Sequence, residues 1–174
     1  MRLRMLTAKD ASKYRELRLQ ALTTNPEAFL TIYSDYVSRT LDQIASQLEP
    51  TDDNFTLGAY AENGQLVGTV THVRERALKV RHIANVVAMF VLPEYRRRRI
   101  ARRLLADLIA QARQLAGLEQ LKLSVVMGNH AAVALYESLG FLTYGVEPNA
   151  LKTEDGYLDE IHMVLPLTID LSRV

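Results

Sequence analysis

The spacing of apolar and polar positions changes period several times along the chain, and each change marks an element. Residues 2–6 alternate as a short strand does. From residue 10 to 22 apolar side chains fall at helical spacing, and the pattern stops before Asn25-Pro26. Thr7, with Asp10 three residues on, is a capping-box arrangement at the start of that helix. Residues 27–48 read as a loop and a second helix ending before Pro50. Residues 55–61 and 65–73 read as strands joined by Glu62-Asn63-Gly64, and Asn-Gly is a strong hairpin signal. A longer strand over 77–91 is interrupted by polar His82 and Asn85. The clearest helix covers 100–116, with Ile100, Leu104, Leu105, Leu108 and Ile109 on one side and Gly117 at its C-cap. Residues 121–126 have the continuous apolar character of a buried strand. A short helix over 131–139 closes at Gly140, and 141–145 with 158–165 form a last strand pair around the polar segment 152–157.

No internal repeat, low-complexity tract or linker divides this order of elements. It predicts an α+β fold in α/β/α layers: a central mixed, mostly antiparallel sheet of about seven strands with helices on both faces. The 174 residues suffice for one domain spanning 1–174.

Composition adds mainly exclusions. Apolar residues make up 48% and charged residues 24%, as in an ordinary globular protein. No apolar run approaches the roughly 20 residues a membrane span needs, and the opening MRLRMLTAKD holds no secretory stretch. Nothing in this pattern points away from the cytoplasm. The absence of cysteine removes disulfides, thiolate metal sites and cysteine nucleophiles. The four histidines are scattered without paired spacing, so no metal is expected.

Residues 91–105, VLPEYRRRRIARRLL, carry the candidate chemistry. An apolar strand runs into a Pro-Glu-Tyr turn, then arginines, then a helix. Such a helix start presents unpaired N–H groups and the positive end of the dipole to whatever precedes it. With arginines around it, it suits an anion carrying several phosphates. Taken alone, six arginines between 96 and 103 would suit a solvated basic face or a nucleic-acid patch. The net charge of only +1 argues against bulk nucleic-acid binding.

At these positions the chain resembles the GNAT superfamily of acetyl-coenzyme A-dependent N-acetyltransferases. Val91, Pro93, Tyr95, Arg96 and Ala101 match the family's phosphate motif, with Arg99 at its middle glycine and Arg97 where glycine is also common. Asn129, Leu135, Tyr136, Gly140 and Phe141 match its second signature, in the expected order. The resemblance covers essentially the whole chain and implies acetyl-CoA as cosubstrate. It further implies that the backbone of Met89, Phe90 and Val91 pairs with the pantetheine arm. The N–H groups of Arg97, Arg98, Arg99, Ile100, Ala101 and Arg102 would hold the pyrophosphate, beside Arg96. Asn129 would bond the cofactor arm and Tyr136 would protonate the departing sulfur, since a phenol near pKa ~10 keeps its proton at neutral pH.

Arginine at a phosphate-loop glycine matters only if that position needs a positive φ; a helical residue 99 would not. The base is not evident. Where relatives often carry glutamate, this chain has Asn85 and Ser124. Asn85 could orient a water; His82, His72, Glu160 and His162 are no better supported. Asn129 also reads as a plain N-cap and Tyr136 as a half-buried packing residue. Phe29, Tyr33 and Tyr36 read as packing residues near Glu27 and Asp35; the resemblance places the acceptor entrance on the side formed by the first two helices, their connecting loop and the late segment 147–157. The expected partner is a small-molecule or peptide amine; a homodimer through terminal strands is among the assemblies such sheets form. Two other functions are weighed beside acetyl transfer: a non-catalytic acyl-CoA-binding regulatory module, and a nucleic-acid binder.

Overall fold

A computed structural model describes residues 1–167. Seven strands form one sheet: β1 (Arg2–Met5), β2 (Asn54–Tyr60), β3 (Leu66–Arg74), β4 (Ile83–Val91), β5 (Gln120–Val126), β6 (Leu142–Thr153) and β7 (Gly156–Pro166). Their order is β1-β2-β3-β4-β5-β7-β6. All neighbours run antiparallel except β4 and β5, so the sheet is mixed in one place only.

Five helices complete the fold: α1 (Ala11–Thr24), α2 (Tyr33–Val37), α3 (Leu41–Leu48), α4 (Ile100–Ala112) and α5 (His130–Glu137). Helix α4 lies on one face. Gly68 permits this: a Cβ there would meet Phe90 O and Val91 Cγ2 at 3.1 Å and Leu104 Cδ1 at 3.3 Å. Helix α1 lies on the other face, where Tyr60 donates from its hydroxyl to Asp10 Oδ1 at 2.7 Å. Asp10 also accepts from both Arg4 guanidinium nitrogens, at 2.6 and 2.7 Å, and this ion pair holds its carboxyl well below the usual carboxylate range. Thr7 and Asp10 do form the capping box, around a single 3-10 turn (Ala8–Asp10) ahead of α1.

Several boundaries differ from expectation. The span 27–48 holds two helices rather than one, because Thr40 starts α3 with its own capping box to Gln43. Residues 78–80 form a 3-10 turn, and β4 begins only at Ile83. Helix α4 ends at Ala112, short of Gly117, which has a φ of +69° in the turn beyond it. The last strand pair is far longer than 141–145 and 158–165. It continues to a tight turn at Glu154-Asp155 and absorbs register shifts at Thr143/Gly145 and Glu147/Leu151. Alternating polarity there has no single register, so the pattern underreports the strands.

Two features of β4 position the site. Val87 pairs with Thr71 and Phe90 with Thr69, so one extra residue is accommodated at Ala88, which has a φ of +53°. This is a β-bulge, and it bends the strand. On its other edge, β4 pairs with β5 only from Ile83 to Asn85. Beyond that the two strands diverge and leave a cleft in the middle of the sheet.

Candidate functional site

The cleft ends at the start of α4. Arg97 and Arg99 both adopt left-handed backbone, with φ of +59° and +60°, and Arg99 is the N-cap. Residue 99 is therefore not helical, and the condition under which arginine there would cost nothing is not met: the turn keeps a glycine-like conformation without the glycine. Each such residue costs ~1 kcal/mol or more. The alternation of left-handed with ordinary backbone aims successive N–H groups to one side, as in an anion-binding nest. The first intrahelical bond runs from Arg103 N–H to Arg99 O at 3.1 Å. Among the described residues, the N–H groups of 97–102 donate to no main-chain acceptor. The first turn of α4 has no acidic side chain but contains Arg102 and Arg103, so no side chain of that turn offsets the dipole.

The arginine side chains divide into two groups. Arg96 donates to Val91 O at 3.0 Å and Asn25 Oδ1 at 2.8 Å, and its guanidinium lies 5.7 Å from the Phe90 ring centre. Arg98 lies over Tyr95 at 5.1 Å. Arg102 donates to Ser138 Oγ at 2.6 Å, tying α4 to the end of α5. Arg97 and Arg99 are exposed and have no side-chain hydrogen bond among the described residues. Ile100 is buried and Ala101 half-buried, which seats the helix while its first turn stays open.

Tyr136 is buried on α5, with its ring edge-on to Phe141 at 5.9 Å. Burial pushes its phenol up to about 12. Its hydroxyl has no hydrogen-bond partner among the described residues, yet it is not sealed in as the Tyr36 hydroxyl is. Asn129 is the N-cap of α5, its Oδ1 accepting from Ala132 N–H at 3.2 Å. The structure thus gives Asn129 the capping role and leaves its Nδ2 uncommitted. Met89 is half-buried and Phe90 and Val91 are buried, all beyond the bulge; the Val91 carbonyl is already engaged by Arg96.

Asn85 faces the side of the sheet away from α4, and its Nδ2 donates to Glu75 Oε1 at 2.7 Å. Sequence reasoning missed Glu75. A carboxylate absent from position 85 reaches the same place from the end of β3, and only the β3–β4 register could have revealed it. Ser124 pairs with His162 across β5 and β7, and His162 Nε2 lies 2.9 Å from Glu147 Oε2. The polar groups on this open face include Glu75, Asn85, Lys122, Ser124, His162, Glu160 and Glu147, so Glu160 is brought to it as well. His82 precedes β4 and is not brought to this face; its carbonyl accepts from Glu119 and Gln120. His72 is fully buried against Phe55, with ring centres 4.6 Å apart, and neither nitrogen has a partner. Burial first, then the Arg74 charge, lowers it to about 4, so it is a neutral core residue.

Phe29 and Tyr36 do pack as expected, whereas Tyr33 is 44% exposed. Among the described residues, no helix is long and apolar enough to cross a membrane. No group of His, Asp and Glu there is placed to hold a metal.

The chain is 40% identical over 86 residues to the ribosomal protein bS18-alanine N-acetyltransferase of Escherichia coli (strain K12). That match takes in 49% of this chain and 57% of the relative, so the chain spans little more than half the length of the curated relatives it matches. The fold is similar to that of a ribosomal-protein-alanine N-acetyltransferase from Brucella melitensis, at 27% identity and a TM-score of 0.80, covering 95% of this chain and 99% of that one. It is also similar to Salmonella typhimurium yncA, solved with its cofactor acetyl-CoA, at 23% identity and a TM-score of 0.82, covering 97% and 94%. Residues 16–141 match the Acetyltransferase (GNAT) family, a range that takes in the bulged strand, the open helix start and Tyr136. The chain belongs to that family.

Proposed function

We propose that residues 1–174 form a single N-acetyltransferase domain that moves an acetyl group from acetyl-CoA to a primary amine by direct attack in a ternary complex. The observation that carries this reading is the run of open N–H groups at 97–102, lying at the mouth of the cleft between β4 and β5. The fit is chemical: unpaired donors and uncompensated arginines suit a diphosphate, and a divided sheet suits an extended arm that pairs like a strand. When bound, acetyl-CoA supplies the activated acyl group as a thioester.

The remaining work falls to the chain. Residues 97–102 hold the diphosphate through main-chain N–H groups, with Arg96 fixing the turn. The backbone of Met89, Phe90 and Val91 lines the arm, and one N–H there faces the thioester oxygen as an oxyanion donor. Asn129 Nδ2 is available to the arm while Oδ1 caps α5. Tyr136 keeps its proton at any working pH and donates toward the sulfur. A phenol near 12 gives its proton poorly to a free thiolate near ~8.5, but the burial that raises the phenol also raises a sulfur beside it. The attacking amine must lose a proton. Asn85, with its carbonyl free while its amide is held by Glu75, orients a water toward that carboxylate.

Two features motivate the reading of a non-catalytic acyl-CoA holder, Arg99 in the phosphate turn and the missing carboxylate base, and Glu75 beside Asn85 weakens the second. The relatives named for a ribosomal-protein alanine make an alanine amine the first acceptor to test. Titration calorimetry with acetyl-CoA, followed by thiol release across an amine panel, tests the proposal. One-to-one binding with amine-dependent release is expected. Absence of binding overturns the reading, and binding without release under any amine favours the holder.

A further inference from the structure

Helix α1 buries Ala11, Tyr14, Leu17, Arg18, Ala21 and Leu22 as its inward stripe. Arg18 is the one charge in that stripe. Only 6% of it is exposed, and it has no hydrogen bond or ion pair among the described residues. Its Nη1 is completely enclosed without an acceptor, as is the hydroxyl of Tyr36. The guanidinium lies 4.7 Å from the centre of the Phe29 ring and 5.7 Å from that of Tyr36. Aromatic faces stabilise a cation only partly, and a buried charge without a counter-ion is strongly disfavoured. Arg18 Nε and Nη2 also lack a partner among the described residues but are not enclosed as Nη1 is, so the guanidinium reaches the surface at one edge and suits an anionic oxygen arriving there.

The location indicates whose oxygen. Phe29, beneath Arg18, is edge-on to Phe90 at 6.4 Å, and Phe90 lies just past the bulge on the cleft strand. The turn Pro26–Ala28 before Phe29 comes against β5, on the other side of the cleft. Asn25 is tied to Arg96 at 2.8 Å. Arg18 therefore sits under the loop that spans the cleft, on the α1 face of the sheet, where an amine would approach.

We propose that Arg18, with the Tyr36 hydroxyl, is a recognition site for a carboxylate carried by the acceptor amine. This rests on the acetyltransferase reading above and names its substrate class. The guanidinium donates to the carboxylate in a charge-assisted pair, the Tyr36 hydroxyl donates a second hydrogen bond, and Phe29 fixes the guanidinium plane. The carboxylate belongs either to a free amino acid or to an acidic side chain next to a peptide N-terminus.

The test uses paired acceptors in a thiol-release assay, with acetyl-CoA affinity measured separately by calorimetry. One arm compares free amino acids with their carboxamides. The other compares Ala-Asp and Ala-Glu peptides with Ala-Asn and Ala-Gln peptides, so the arm that responds names the source. In the unmodified protein the carboxylate member is expected to have a kcat/KM at least tenfold higher. In Arg18→Met, which fills the same volume without charge, that preference disappears, the rate with the neutral partner stays within about threefold, and acetyl-CoA affinity is unchanged. Tyr36→Phe, which conserves packing, reduces the preference several-fold. Equal rates within every pair, faster neutral members, no turnover of any carboxylate member, or a preference surviving in Arg18→Met overturns the inference. So does a tenfold loss of acetyl-CoA affinity in Arg18→Met, because Arg18 would then serve the cofactor. Loss of acetyl-CoA binding by the unmodified protein would instead defeat the acetyltransferase reading itself.

Discussion

The start of α4 and the pocket around Arg18 are both rich in unmet polar groups, but they are built in opposite ways. At α4 the unmet donors are main-chain N–H groups in an open turn, and the arginine side chains around them are held elsewhere or face solvent. Around Arg18 the unmet donors are side chains, enclosed by aromatic rings. An open main-chain site tolerates changes of side chain, provided the backbone keeps its shape. A closed side-chain site depends on each group it contains. On the two proposals above, binding of a shared cofactor is separated physically from selection of a particular acceptor.

A calibration of the contrast comes from His72, an enclosed polar side chain serving neither site. Its folded pKa is about 4 against a usual value near 6.5. Between those values the unfolded chain binds the extra proton, so stability is full above about pH 6.5 and falls as pH drops toward 4. The 2.5-unit difference corresponds to about 3 kcal/mol. Urea unfolding at pH 7.5 and 4.5 captures most of it, and His72→Leu should flatten the dependence across that window. A dependence unchanged in that variant would show that enclosure costs His72 little, and would weaken the case for a cost at Arg18.

Tyr136→Phe probes the proposed proton donor at the cofactor end. We expect kcat to fall ~100-fold or more while acetyl-CoA affinity is unchanged. A rate within threefold of the original would remove Tyr136 as the proton donor.

Glu75→Gln should lower kcat/KM ~10-fold near neutral pH, with His162→Ala smaller in effect, because Glu75 contacts Asn85. The reverse ranking would move the proton's exit to the His162–Glu147 pair.

The smallest effect is the sharpest test of the main-chain account. Arg99→Gly relieves a left-handed arginine and should raise stability by ~1 kcal/mol in urea unfolding. Acetyl-CoA affinity should hold within threefold. A tenfold loss would mean that the side chain, and not the backbone, contacts the phosphates.

The same division explains what the sequence disclosed. The turn at 91–105 could be read because strand, turn and helix are contiguous, and a main-chain site is specified by local order. The hairpin at Asn63-Gly64 and the apolar stripe of α4 could be read for the same reason. Glu75 beside Asn85 depends on strand register, and His162 beside Ser124 on pairing between β5 and β7, neither of which is a local property. Arg18 left a faint trace, a charge within the 11-14-17-18-21-22 stripe of α1. Its significance needed Phe29 and Tyr36 brought around it. The left-handed backbone at Arg97 and Arg99 left its trace only through the resemblance, whose motif has glycine at those positions, since arginine itself rarely adopts it.

The short contact between β4 and β5 has a mechanical consequence. Among the described residues, three residue pairs, Ile83–Asn85 with Gln120–Lys122, and the bonds from Glu119 and Gln120 to the His82 carbonyl are all the ladder between a four-stranded panel and a three-stranded one. With so little ladder, the line between the panels is the natural place for amide protons to exchange early and for a pulling force to part the molecule. Any extended guest that bonds to both lips stitches the panels together. Occupancy should therefore register as slowed deuterium uptake along Val86–Val91 and Leu123–Val126, well away from the phosphates.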